Sequence, residues 1–301
     1  MKAKALSHGA ATIICAFATG RGGAFGVDTE TKATVKLRDD GEINASIKDY
    51  PDESTLLLER CVVRVMERFG FEYGADITTE STIPMAAGLK SSSTAANAST
   101  LALIGALAAE HGEVTEKDGV PAISIGGDQV DHVSIIKTGI QASFDAKVTV
   151  TGAFDDASAS YFGGYTVTNN MEKTIEARGA VDDLSVLVFL PEGRIYSGDL
   201  DVKKVKKIAK EIDVAWNAAR EGKIYEAMTI NGLMHSLMFK QNPDIAIEAL
   251  RAGAKAAGLS GTGPSVVAVT DDKADDIRDA WQAFEGRIVE AKTNNRQARI
   301  L

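Results

Sequence analysis

The sequence predicts an α+β protein built of two units, and three observations predict it. Strand-like alternation and helix-like periodicity are interleaved along the chain, without the regular strand–helix–strand repetition of a doubly wound sheet. The pattern breaks over residues 170–180, where Asn169-Asn170 and the charged run from Glu172 to Arg178 read as exposed, and it restarts with a strongly apolar strand. At 301 residues, 45% hydrophobic and 25% charged, the chain is long and apolar enough for two cores. The expected units are residues 1–172 and 173–301.

In the first unit, Thr34 to Leu37 and Ile43 to Ile47 alternate in character and flank Asp39-Asp40-Gly41, which predicts a hairpin. Leu58, Cys61, Val62, Val65, Met66 and Phe69 recur at helical spacing, and Gly70 stops that helix. Glu72 to Thr79 reads as a strand leading towards Pro84, and Ser91 to Glu110 as an alanine-rich helix suited to close packing. Lys147 to Thr151 reads as a strand, Asp155 to Phe162 as a short helix ended by Gly163-Gly164, and Tyr165 to Thr168 as a strand.

In the second unit, Leu184 to Leu190 is an apolar strand. Asp201 to Ile212 is an amphipathic helix with Val202, Val205, Ile208 and Ile212 on one face; Lys203, Lys204, Lys206, Lys207 and Lys210 read as its solvated side. Ile224 to Phe239 and Ile245 to Ala257 read as helices, the second closed by Gly258. Gly261-Thr262-Gly263-Pro264-Ser265 then feeds the strand Val266 to Val269. A last helix carrying Ile277, Ala280, Trp281 and Phe284 precedes a strand from Arg287 to Ala291.

The net charge of −9 argues against a general nucleic-acid binder, while leaving room for an anionic small molecule held by local donors. Cys15 and Cys61 make neither a disulfide framework nor a metal-ligand spacing and read as two reduced, buried thiols. Lys2 and Lys4 before Ala10 to Ala18 imitate a signal peptide, but Ser7, His8, Gly9 and Thr12 interrupt the apolar stretch and a glycine-rich segment follows. Ala95 to Ala109 is too short and too polar for a membrane span. A cytoplasmic protein with no membrane partner is expected.

The most informative stretch runs from Thr82 through Pro84-Met85-Ala86-Ala87-Gly88-Leu89-Lys90-Ser91-Ser92-Ser93 into Thr94-Ala95-Ala96-Asn97. A glycine loop entering a helix presents free backbone N–H groups and the positive end of the helix dipole, which suits an anion. Gly88 admits close approach to the backbone. The serine hydroxyls can cap the helix, bind phosphate oxygens or reach a metal. No Walker-type lysine loop and no protein-kinase catalytic loop is present.

This loop resembles the Pro-x-x-x-Gly-Leu-x-Ser-Ser-Ala pattern of the GHMP kinases, with Ser93 in place of the final alanine. Gly261-Thr262-Gly263-Pro264-Ser265 is similar to their C-terminal glycine motif, which packs against the phosphate site; a plain tight turn is the alternative. The resemblance implies a two-domain GHMP fold, with an N-terminal domain like ribosomal protein S5 and a ferredoxin-like C-terminal domain. It implies ATP bound by Pro84, Ala86 to Ser93 and Gly261 to Gly263. It also implies Mg²⁺ bridging the phosphates, served by Ser92 and by an upstream acid, for which Asp145 stands at about the right distance. Members carry a base at a fixed distance before a Gly-Gly pair. Counting back from Gly163, Asp156 falls there and Asp155 one residue off; helix capping is the alternative for each.

Within the superfamily, three segments resemble the archaeal shikimate kinases: Ser7 to Ile14 with Ala18 to Gly26, Gly88 to Ser93 with its lysine, and Val148 to Asp156. The lysine that follows Ala-Pro-Gly early in mevalonate kinases is missing, since Ala10 follows Gly9, and the galactokinase signature is missing too. The implied reaction is ATP plus shikimate giving shikimate 3-phosphate and ADP, by a monomer or homodimer. Shikimate's carboxylate needs a cation and its hydroxyls need paired donors and acceptors. Arg21, Lys90, His8, Thr12 and Thr19 are the candidates; Lys90 can serve ATP instead, and His8 reads equally as an internal hydrogen-bonding group. The alternatives are a homoserine or mevalonate kinase, a non-catalytic ligand sensor on the same fold, and an ATP-using decarboxylase of the mevalonate-diphosphate type. An asparagine stands at the Asp156 position in homoserine kinases, and a sensor would have lost the aspartate or the serines.

Overall fold

Two long antiparallel strands organise the first unit: β1 (Lys2–Ile14) and β2 (Arg21–Arg38), paired from Lys2 opposite Lys36 to Ile14 opposite Gly23 with register shifts at His8/Gly9 and Thr12/Ile14. The computed structural model describes residues 1–48, 50–84, 87–117, 120–149, 151–192 and 202–301. The signal-like run starts as the end of β1, with Ala10, Ala11, Ile13 and Ile14 buried in the sheet, and continues into the turn after it. β3 (Ile43–Ile47), α1 (Leu56–Phe69) and β4 (Gly74–Ser81) follow. α1 stops at Gly70, whose φ of 71° needs no Cβ accommodated.

The hairpin expected around Asp39-Asp40-Gly41 does not form. Both strands exist, but β4 inserts between them, antiparallel to β2 and parallel to β3, and α1 makes the crossover. Alternation identifies a half-buried strand and says nothing of its partner.

α2 (Ser91–His111) runs under the sheet, and its alanine face allows close contact on all sides; from Ala96 to Ala108 every residue is buried. A small three-stranded sheet follows, β5 (Gly112–Lys117), β6 (Val120–Ile125) and β7 (Asp128–Gln129). α3 (His132–Asp145) is capped by Asp131, whose carboxylate accepts from the Ser134 amide at 2.9 Å. The expected strand over residues 147–151 is instead a loop among the described residues, with Lys147 at φ 58° and Gly152 at φ 83°. α4 (Phe154–Phe162) ends at Gly163, and β8 (Tyr165–Asn169) and β9 (Thr174–Gly179) join the first sheet beside β2. The charged run after Asn170 is thus an edge strand, alternately exposed and half-buried. α1 to α4 cover one face of this sheet, and Leu58, Val62, Leu101, Ile104 and Ile136 fill the core between them.

The second unit centres on a four-stranded sheet of order β11-β12-β10-β13, formed by β10 (Ser185–Pro191), β11 (Ala256–Leu259), β12 (Val266–Thr270) and β13 (Gly286–Lys292). The helix expected from Asp201 to Ile212 is broken: α5 (Val202–Val205), a 3-10 turn at Lys206–Ile208, then α6 (Ala209–Arg220). α7 (Ile224–Met238), α8 (Asp244–Arg251) and α9 (Ala274–Trp281) complete it. The helix expected to reach Ala257 ends at Arg251, and Ala256–Leu259 is a buried strand lying on Gly232 of α7. The core of this unit includes Ala11, Ile13 and Phe25 of the long strands, so both units share β1 and β2. β14 (Arg299–Ile300) returns to pair with β1. No described helix is long and apolar enough to cross a membrane.

Candidate active site

The serine loop and α4 meet in one cavity of about 150 Å³, walled by Lys90, Ser92 and Ser93, by Ser143 of α3, and by Asp156 of α4. Two helix N-termini point into it, those of α2 and α4. The expected serine cap is absent: Lys90 takes the N-cap position in the left-handed region (φ 63°) without a side-chain cap bond. Helical bonding begins only with the Thr94 amide, which donates to the Lys90 carbonyl at 3.0 Å, so the amides of Ser91, Ser92 and Ser93 precede it. Ser91 and Ser92 are exposed and Ser93 half-buried, as an anion site requires.

The loop before them is anchored in both units. Ala87 and Leu89 are buried in the shared core, and the Leu89 carbonyl accepts from the Ala10 amide at 3.3 Å. Pro84 is half-buried and its carbonyl accepts from Ala87; Ala86 lies outside the described residues. Gly88, at φ 68°, leaves no room for a side chain, since a Cβ would meet Ser265 Oγ at 2.8 Å. The Ser260 hydroxyl donates to the Gly88 carbonyl at 3.0 Å, and the Gly261 amide to Thr12 Oγ1 at 2.9 Å. The Gly261–Gly263 turn therefore packs directly on the serine loop, with Thr262 half-buried at its tip.

Lys90 reaches back across the cavity, its Nζ 3.2 Å from Asp156 Oδ1, with the two side chains 11% and 16% exposed. Burial opposes the ammonium charge, but the Asp156 and Asp155 carboxylates outweigh it and hold Lys90 above its ordinary value. Asp155 is more deeply buried. Asn170 Nδ2 donates to its Oδ1 at 2.7 Å, and the Asp155 amide donates to Asn170 Oδ1 at 3.2 Å. Burial, then the neighbouring Asp156 charge, push the Asp155 carboxyl up to about 7. Its place is tight, because a Cβ at Gly22 would overlap the carboxylate. Cys15 lies close by, but burial pushes its thiol up to about 12, so it offers no thiolate.

Asp145 does not come to this cavity. It ends α3 with both carboxylate oxygens turned to Arg64 of α1, one accepting from Nη2 at 2.9 Å and the other from Nε. The expected distance along the chain says nothing of where the side chain turns; of α3, Gly139, Ile140 and Ser143 line the cavity instead. Asp145→Asn is expected to cost about 1 kcal/mol of stability and to leave turnover and its Mg²⁺ dependence close to wild type, measured by thermal melting and a Mg²⁺ titration.

The substrate-directed residues divide. His8 is fully buried on β1 and its ring nitrogens have no partner among the described residues. Burial, then Arg296, lower its pKa to about 4; the strongest charges on it come from Arg296, Glu30, Arg299 and Asp28, none of them in the serine loop or α4. Thr12 is buried and taken by Gly261. Thr19 bonds to both backbone polar groups of Arg21. Arg21 is half-exposed, 3.3 Å from Asp213 Oδ1, with its guanidinium 4.8 Å over the Trp216 ring.

Two supporting residues escaped the sequence reading. Asn170 was read as surface but is buried and holds Asp155; Asn231 of α7 accepts the Cys15 amide at 3.0 Å and ties the end of β1 to the second unit. The only signal for Asn231 was a polar residue on an apolar helix face.

Among the described residues no cluster of three His, Cys, Asp or Glu side chains could cage a metal. The Ser92 hydroxyl and the Asp156 carboxylate, both lining the cavity, do fit an ion that takes most of its ligands from phosphates and water.

The pattern of the GHMP kinases N terminal domain matches residues 57–164, and that of the GHMP kinases C terminal matches residues 215–286. A shikimate kinase of Methanothrix thermoacetophila is 38% identical over 301 residues, covering 100% of this chain and 96% of that protein. One of Methanosarcina mazei is 40% identical over 299 residues, covering 98% and 95%. Among solved structures, the homoserine kinase of Cytophaga hutchinsonii superposes with a TM-score of 0.72 at 17% identity, covering 100% of this chain and 97% of that one. The Methanococcus jannaschii mevalonate kinase does so at 0.66 and 16%, covering 97% and 98%.

Proposed function

The chain belongs to the GHMP kinases, among the archaeal shikimate kinases, and from that premise we propose that it transfers the γ-phosphoryl group of ATP to a ring hydroxyl of shikimate. The observation that carries the substrate is the whole-length identity to relatives bearing that name. The fold alone is shared with kinases for other alcohols.

The amides of Ser91 to Ser93 and the α2 dipole receive the ATP phosphates. Mg²⁺, when bound, neutralises charge on the phosphates, and the Ser92 hydroxyl is the protein group we assign to it. Asp156 accepts the proton of the attacking hydroxyl as its oxygen bonds to the γ-phosphorus and the bond to the bridging oxygen of ADP breaks. Lys90 orients Asp156 and keeps a cation beside the transferring group. Asp155, held by Asn170, fixes the first turn of α4 and is a positioning residue. Arg21, backed by Asp213 and Trp216, is the cation we assign to the substrate carboxylate, with Thr19 setting its backbone. Thr12 acts through Gly261, and His8 lies outside the substrate's reach. A biosynthetic kinase of this kind works in the cytoplasm, where ATP is made.

A coupled ADP-release assay with shikimate, homoserine, mevalonate and galactose tests the reading. Turnover of shikimate well above the other three is expected; folded, Mg-loaded protein that leaves shikimate untouched would sink it.

A further inference from the structure

A second, larger cavity of about 650 Å³ opens at the far end of α4 from the aspartates, within the roughly 300–1,000 Å³ of small-ligand sites. Its walls come from segments distant in sequence: Phe162 with the Gly163-Gly164 turn, the end of β9 at Arg178, and the stretch from Asn295 to Arg299. Three guanidinium groups line it, those of Arg178, Arg296 and Arg299, against one acid, Glu116 of β5.

Several other arginines are paired with acids, while Arg68 and Arg220, like these three, have other partners or none among the described residues. Arg21, Arg38, Arg64, Arg251 and Arg278 each face a carboxylate. None of the three in the cavity makes an ion pair with a described residue; Arg178 lies instead 4.8 Å over the Phe162 ring. In a chain of net charge −9, three cations without ion pairs share one hollow with a single acid, which leaves it locally positive. Gln297, which also lines the hollow, has a buried Nε2 with no acceptor among the described residues. The charge reaches inward as well: burial is the main cause of the lowered His8 pKa, and Arg296 and Arg299 add to it against Glu30 and Asp28. Guanidinium forks and an amide donor, with an aromatic face alongside, are the donor set that takes oxyanions.

We propose that this cavity binds a small polyanion, a metabolite carrying two or more carboxylate or phosphate groups, at a site separate from the serine loop.

The test is calorimetric titration of the full chain with citrate and, separately, with inorganic pyrophosphate, in Mg-free buffer with a non-hydrolysable ATP analogue in excess to fill the serine loop. Saturable binding of at least one probe is expected, weakened at least about tenfold in Arg178→Gln and in Arg296→Gln and unchanged in Lys207→Gln, an exposed lysine elsewhere. Binding of citrate alone assigns carboxylates, binding of pyrophosphate alone assigns phosphates, and binding of both admits either group. Two results overturn the proposal: neither probe binds saturably, or binding is the same in wild type and in both arginine variants.

Discussion

Replacing Asp156 by asparagine is expected to lower turnover by at least about a hundredfold while nucleotide affinity is kept. The side chain stands where α2 and α4 converge, with Lys90 Nζ 3.2 Å from Oδ1. The amide keeps the shape and loses the ability to take a proton. Asp155 cannot stand in for it, since its carboxylate is locked against Asn170 and under Gly22. Single-turnover kinetics with pre-bound ATP read the chemical step directly. A variant within about threefold of wild type would leave Asp156 as a helix cap with no part in proton transfer.

Lys90→Met is the second large effect, on stability as well as rate. The variant leaves two adjacent carboxylates, one buried and one nearly so, without their cation, and breaking such a pair costs about 3–5 kcal/mol. The loss depends on pH in a stated direction. Asp155 already titrates at about 7 in the folded protein, against about 3.9 unfolded. Between those values the folded state holds more protons than the unfolded one, so this group's contribution is complete below the unfolded value and declines as pH rises through the folded value. Without Lys90 the Asp155 carboxyl holds its proton more tightly still, and the variant recovers by keeping it. Denaturant unfolding should show a deficit that is large near pH 8 and small near pH 5. An equal deficit at both would mean that Lys90 supports the loop by packing alone.

What could be read from the residues was local. The serine loop imposes a backbone and charge requirement within a few positions, so Gly88 and Ser91 to Ser93 stand out from the residues alone, whereas Asp156 and Gly261 stand out only through the resemblance to the family. What could not be read was pairing and direction. Alternation revealed the strands on either side of Asp39-Asp40-Gly41 but not that β4 separates them. Ala256 to Leu259 lacks β-branched residues and continues a helical pattern, yet burial against α7 makes it a strand. The resemblance pointed to Asp145 by its distance before Asp156, but its carboxylate is held by a guanidinium on another helix. Asn170 looks like surface in the sequence because the Asp155 carboxylate and amide that hold it lie fifteen positions earlier.

The contacts that shape the phosphate cradle have a consequence for how the molecule comes together. Ser260 with Gly88 and Gly261 with Thr12 join groups 172 and 249 positions apart. Closures that long are costly in chain entropy and come late in folding. The cradle is thus a seam between the halves of the chain, and its shape is a report on whether they have docked. A nucleotide that fits only the finished seam stabilises the docked state by mass action. On the proposed reading, ATP would act as a standing clamp on this protein's architecture as well as its reagent.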